Sequence, residues 1–137
     1  RYLGVRLRSR REILDYLKRK DCEMSDIEVA LERLEGLGLV DDLKFAQAWI
    51  ADRMAVRPRS RMMLSQELMA KGVAKDDITV ALEELEPERE IETLKTMILR
   101  KQRSGYADEK KLQGYLQRQG YRWSLIKQAL DEINAED

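Results

Sequence analysis

The residues of this chain that could act chemically are acidic pairs, one cysteine, a few aromatics and several blocks of arginine and lysine. Histidine is absent, which removes Ser-His-Asp and Cys-His catalysis and the usual His-bearing zinc sites. Cys22 sits near the end of a helical stretch with no identifiable base beside it, so it reads as a small packing residue and not as a nucleophile. Asp41-Asp42, Asp76-Asp77 and Glu83-Glu84 are residue types that could hold a metal for phosphodiester chemistry. Adjacent helical residues do not share a face, however, and the Asp pairs stand at helix starts, where they cap and complement the dipole. There is no Walker-type phosphate loop and no GxGxxG. No catalytic residue, metal or cofactor is therefore expected, and the chain reads as a binder.

What remains is charge and its placement. The 26 basic and 26 acidic side chains cancel overall, but they are segregated. Residues 1–20 carry +6, 21–52 carry −7, 53–75 carry +5, 76–92 carry −7, 93–128 carry +7 and 129–137 carry −4. The first basic block contains Arg6, Arg8, Arg10 and Arg11. The second contains Arg53, Arg57, Arg59 and Arg61, with Lys71 behind it. The third contains Arg100, Lys101, Arg103, Lys110 and Lys111, with Arg122 beyond. One such block is ordinarily a solvated helix face, whereas three in step with a repeat favour a basic strip for a phosphate backbone or an acidic protein groove. Tyr115, Tyr121 and Trp123 could stack on bases. Trp49 reads as core, and for Trp123 packing across a turn between helices is the favoured role.

The repeat that orders these blocks also specifies the elements beneath them. Residues 9–34 match residues 60–85 without a gap at an offset of 51, with 11 of 26 positions identical. A more divergent third copy spans 108–133 at a further offset of 48. Each copy reads as two short helices. Ser9, Ser60 and Asp108 are the N-caps of the first, and Ser9 with Glu12 forms a capping box. Gly72 and Gly120 supply the left-handed residue that ends this helix, and Asp21 takes that place in copy one. Ser25, Asp76 and Ser124 are expected to cap the second helix. Its buried face runs Ile27, Ala30, Leu31, Leu34, then Ile78, Ala81, Leu82, Leu85, then Ile126, Ala129, Leu130, Ile133. A further helix precedes copies two and three, opened by Asp41-Asp42 and by Glu86-Pro87. The corresponding helix before copy one is reduced to Arg1–Leu7.

Leu, Ala, Glu, Lys, Arg and Met dominate, with one Phe and two Pro, so the fold class is all-α. The expected architecture is three tandem three-helix modules, at 1–40, 41–86 and 87–137, forming an elongated curved array. No apolar run approaches the roughly 20 residues needed to span a membrane. The chain opens at Arg1 in what reads as mid-helix, so upstream residues are expected. The lone cysteine fits a reducing cytoplasm, and a monomer is expected.

These motifs resemble those of the bacterial RecX family. The resemblance runs through Gly38-Leu39-Val40-Asp41-Asp42, Phe45-Ala46, Trp49-Ile50 and Arg53, then Pro58-Arg59-Ser60 and Glu67-Leu68-x-x-Lys71-Gly72. Arg8-Ser9-Arg10-x-Glu12 with Leu17-x-x-Lys20 matches the first module, and Gly120 with Ile126, Ala129 and Leu130 matches the third. The resemblance implies a modulator of the recombinase RecA. Such a protein binds the RecA–single-stranded DNA filament along its groove and suppresses its ATPase, strand-exchange and co-protease activities. Direct contact with single-stranded DNA is an open possibility. A second reading from a different class is a helical-repeat module that binds DNA without a recombinase.

Overall fold

The structure, a computed structural model, describes residues 8–105 and 108–136. The expected helix at 1–7 and the candidate Arg6 lie outside the described residues. Within them the chain forms eight helices and no strand: α1 (Arg10–Arg19), α2 (Met24–Gly36), α3 (Asp42–Val56), α4 (Arg61–Ala70), α5 (Lys75–Glu83), α6 (Pro87–Arg103), α7 (Glu109–Arg118) and α8 (Trp123–Ala135).

The helix starts follow from local chemistry. Ser9 accepts the Glu12 amide while the Glu12 carboxylate accepts the Ser9 amide, completing the capping box. Ser60 caps α4 through the Met63 amide, Asp41 caps α3 through Lys44, and Asp108 caps α7 through Lys110 and Lys111. Pro87 occupies the first turn of α6. The second helix of each copy departs from expectation. It starts at Met24, Lys75 and Trp123, after extended Glu23, Ala74 and Arg122, none of which makes a side-chain cap. Ser25, Asp76 and Ser124 thus lie one residue inside the helix. There Asp76 and Asp77 serve the exposed first-turn amides through charge, not as caps.

Each unit closes its own core. Ile13, Ile27, Leu31 and Val40 form the first cluster. In the second, α5 packs chiefly on α3, and Phe45, Ala46, Ile50, Leu64, Leu68 and Ile78 are buried together. In the third, α8 packs chiefly on α6 around Leu94, Ile98, Leu112, Leu116, Ile126 and Ala129. Burying a Leu or Ile side chain is worth about 1.5–3 kcal/mol, so these sets hold the units together. Cys22, by contrast, is exposed and not a packing residue. Trp123 is 46% exposed, so it is not packed away either.

The units join through polar contacts that repeat. The buried Ser9 hydroxyl donates to the Lys71 carbonyl at 2.7 Å, and the buried Ser60 hydroxyl donates to the Gln119 carbonyl at 2.7 Å. The Arg10 amide donates to Asp42 at 2.8 Å, and the Arg61 amide donates to Glu90 at 3.3 Å. Burial raises the Asp42 carboxyl above its ordinary range, against the lowering effect of the Arg10 amide. At both joints a left-handed glycine meets the preceding unit. A Cβ on Gly72 (φ +84°) would lie 2.5 Å from the Arg11 Cβ, and one on Gly120 (φ +97°) would lie 2.5 Å from the Ser60 Oγ. Asp21, at φ 58°, holds the same turn in the first unit, where no preceding unit presses on it among the described residues.

Candidate functional site

Three elements wall a cleft between the second and third units. The loop leaving α3 (Val56 to Ser60) forms one side, α6 the other, and α7 with the start of its following turn the floor. Its volume is about 800 Å³. Its described lining includes five cations, Arg57, Arg59, Arg89, Arg100 and Lys101, against one carboxylate, Glu92. On α6 the residues Arg89, Thr93, Thr96 and Arg100 are spaced by four, three and four, which places them on one face of the helix. Lys101 sits over the Tyr115 ring at 4.2 Å from its centroid, and Met63 of α4 and Met97 of α6 add apolar lining. Tyr121 is buried and donates its hydroxyl to the Met97 sulfur at 3.5 Å. Burial, then Glu90 and Tyr115, push its phenol well above the usual range, so it stays a neutral donor. Cations crowded in a concave site raise the local potential for an anionic partner.

Four of the residues proposed from sequence therefore meet here: Arg57, Arg59, Arg100 and Lys101. Arg57 and Arg100 are exposed. Arg89 is held at its guanidinium by the Met54 carbonyl at 3.3 Å, and Arg59 pairs with Glu67.

Other candidates are drawn into the framework. Glu67 accepts the Trp49 indole N–H at 2.9 Å and pairs with Arg59 and, at 3.5 Å, with Arg53. The Arg53 guanidinium lies over the Trp49 ring at 4.4 Å. Lys71 lies near the same ring at 5.4 Å and reaches Glu12 at 3.1 Å across the first joint. Trp49 is thus half-buried against the second core, with its polar edge built into a charged network. Arg61 spans the second joint, pairing with Glu90 at 3.2 Å and donating to the Leu82 carbonyl in the last turn of α5 and the Leu85 carbonyl just past it. Arg10 pairs with Glu35 at 3.3 Å. Arg8 is half-buried beside Ser9 in the chain, and Arg11 is exposed with its stem over Gly72. Arg103, Lys110, Lys111 and Arg122 are exposed outside the cleft lining.

Two family models match the chain: "RecX, first three-helix domain" over residues 1–34 and "RecX, second three-helix domain" over 41–82. The chain belongs to the RecX family. Among curated relatives, Regulatory protein RecX of Streptomyces lividans is 37% identical over 134 residues, covering 91% of this chain and 71% of the relative. Regulatory protein RecX of Prosthecochloris aestuarii is 39% identical, covering 96% and 88%. A crystal structure of a regulatory protein RecX superposes with a TM-score of 0.87 at 27% identity, over 95% of this chain and 66% of that one. The crystal structure of RecX from Lactobacillus salivarius superposes at 0.90 over 98% of this chain; at 21% identity that likeness shows the fold alone. The relatives are named as regulatory proteins. Among the described residues no group of three or more His, Cys, Asp or Glu side chains is placed to hold a metal ion. Among them, too, no helix is long and apolar enough to cross a membrane.

The RecX signature residues acquire a physical meaning here. Trp49, Arg53, Arg59, Glu67 and Lys71 form one bonded network, and Gly72 admits the neighbouring unit. Arg89 was not among the candidates, because it falls in a segment whose net charge is −7. Its helical register with Arg100 was the available signal.

Proposed function

We propose that this RecX-family chain binds the filament that the recombinase RecA forms on single-stranded DNA, and that it lowers the filament's ATPase, strand-exchange and co-protease activities. In this reading it acts by occupancy and not by catalysis, as a monomer. The observation that carries the proposal is the cation-lined cleft at a unit joint, in a chain whose relatives are named regulatory proteins. A nucleoprotein filament presents both kinds of anionic surface that such a cleft attracts, phosphates and acidic side chains. Three units with separate cores and repeated joints offer several contacts on one chain, and linked contacts gain affinity through effective concentration. The test is co-sedimentation. The chain is expected to pellet with RecA assembled on single-stranded DNA, and recovery in the supernatant at every ratio tested overturns the proposal.

A further inference from the structure

We infer that Met62 is an oxidation site that governs the joint between the second and third units: peroxide converts its thioether to the sulfoxide, which loosens that joint and leaves the first joint as it was. This goes beyond the filament reading and does not depend on it.

The two joints are built alike, and one position of the repeat covers the glycine in each. Copy one carries Arg11 there and copy two carries Met62, at the offset of 51. The aliphatic stem of Arg11 lies against Gly72. At the second joint a Cβ on Gly120 would lie 3.2 Å from the Met62 Cβ and 3.3 Å from its Cε. Both ends of the side chain thus fold over Gly120, and the sulfur bonded to Cε is carried across the glycine face. The contact adjoins the hydrogen bond that ties the units, from the Ser60 hydroxyl to the Gln119 carbonyl at 2.7 Å. Only the second joint has sulfur at this place.

Met62 is also accessible. It is 48% exposed, so peroxide reaches it without unfolding. The other five methionines do not combine exposure with such a place. Met54 is buried, and Met63 and Met97 are partly buried, with Met97 holding the Tyr121 hydroxyl at its sulfur. Met24 and Met69 are exposed, but neither supplies a nearest atom to Gly72 or Gly120.

Hydrogen peroxide supplies the oxygen. A sulfur lone pair attacks one peroxide oxygen, the S–O bond forms as the O–O bond breaks, and the second oxygen leaves as water with both protons. The sulfur loses two electrons and the peroxide gains them. The product is polar where an apolar chain lay against backbone, and hydrating the new oxygen draws the side chain off Gly120. A methionine sulfoxide reductase, with a dithiol as reductant, reverses the step.

The first amides of a helix have no partner within it. Protection of the Arg61 amide, which donates across to Glu90 at 3.3 Å, therefore reports the second joint. Protection of the Arg10 amide, which donates to Asp42 at 2.8 Å, reports the first. The test treats the full chain, Met62→Leu and Met69→Leu with hydrogen peroxide, locates sulfoxide by peptide mass mapping and follows amide exchange by NMR. Leu keeps the apolar bulk without the sulfur, and Met62→Arg, copying Arg11, replaces it if Met62→Leu does not fold. Cys22 and Met24 are present in every variant, so their oxidation is common to all. Peroxide is expected to form the Met62 sulfoxide in the unaltered chain and in Met69→Leu, and there to speed Arg61 exchange at least threefold with Arg10 unchanged. In Met62→Leu it is expected to change neither amide. Four outcomes overturn the inference: Met62 stays reduced while Met24 and Met69 oxidise, Arg61 exchange is unchanged by the Met62 sulfoxide, Met62→Leu shows the same acceleration, or Arg10 accelerates equally.

Discussion

Replacing Gly120 with alanine tests how the second and third units are joined, and its cost can be worked from geometry. Gly120 sits at φ +97°, where an L-residue costs about 1–2 kcal/mol. Gly38, at φ +75°, has no atom within 4 Å of a built Cβ, so Gly38→Ala incurs that backbone cost alone. At Gly120 the new Cβ falls 2.5 Å from the Ser60 Oγ and 3.2 Å from the Met62 Cβ. Ser60 cannot retreat freely. It is buried, donates to Gln119 at 2.7 Å and caps α4 through the Met63 amide at 3.1 Å. Moving it loses a hydrogen bond worth about 1 kcal/mol and strains a cap worth about 1 kcal/mol. Gly120→Ala should therefore cost about 2 kcal/mol more than Gly38→Ala, a further fall of about 6–10 °C in melting temperature for a chain of this size. Ser60→Ala relieves the close approach, so the Gly120→Ala and Ser60→Ala costs should not add in the double variant. Thermal and urea unfolding of the four variants and the unaltered chain measure this. Equal costs for Gly38→Ala and Gly120→Ala, or strict additivity with Ser60→Ala, refute the joint as described.

Three further outcomes are expected. Glu67→Ala leaves the Trp49 indole N–H, Arg59 and Arg53 without their shared carboxylate, and it should destabilise the chain by about 2 kcal/mol, read in urea unfolding; a change within about 0.5 kcal/mol contradicts the network. Asp42 is held above its usual pKa by burial, so its ionised form costs stability at neutral pH, and that cost fades as pH falls through its raised pKa towards 3.8. Asp42→Asn should accordingly raise the unfolding midpoint at pH 7 and lose the gain near pH 3, whereas a lower midpoint at pH 7 contradicts the sign. Lys95 reaches Glu132 at 3.3 Å and Glu136 at 3.0 Å, so Lys95→Met should speed amide exchange in the last turn of α8 and leave the centre of α7 unchanged.

The helical code was legible in the sequence because it is local. Caps such as Ser9, Ser60, Asp41 and Asp108, and the left-handed Asp21, Gly72 and Gly120, act within a turn of their own position. Ser25, Asp76 and Ser124 misled because a good capping residue one position inside a helix looks the same in sequence as one at its edge. The cleft was only half legible. Charge blocks pointed to Arg57, Arg59, Arg100 and Lys101, but they could not separate cations used between units, such as Arg61 and Lys71, from those open to a partner. That division depends on which carboxylates the joints bring near, Glu90 from 29 residues away and Glu12 from 59. Arg89 was hidden by its acidic neighbours in sequence, although α6 turns it onto the face of Arg100.

The most direct test of the regulatory account is the rate of DNA-dependent ATP hydrolysis by RecA on single-stranded DNA, with the chain titrated in. A fall in rate below one chain per recombinase subunit is the predicted result, and an unchanged rate at stoichiometric excess contradicts it.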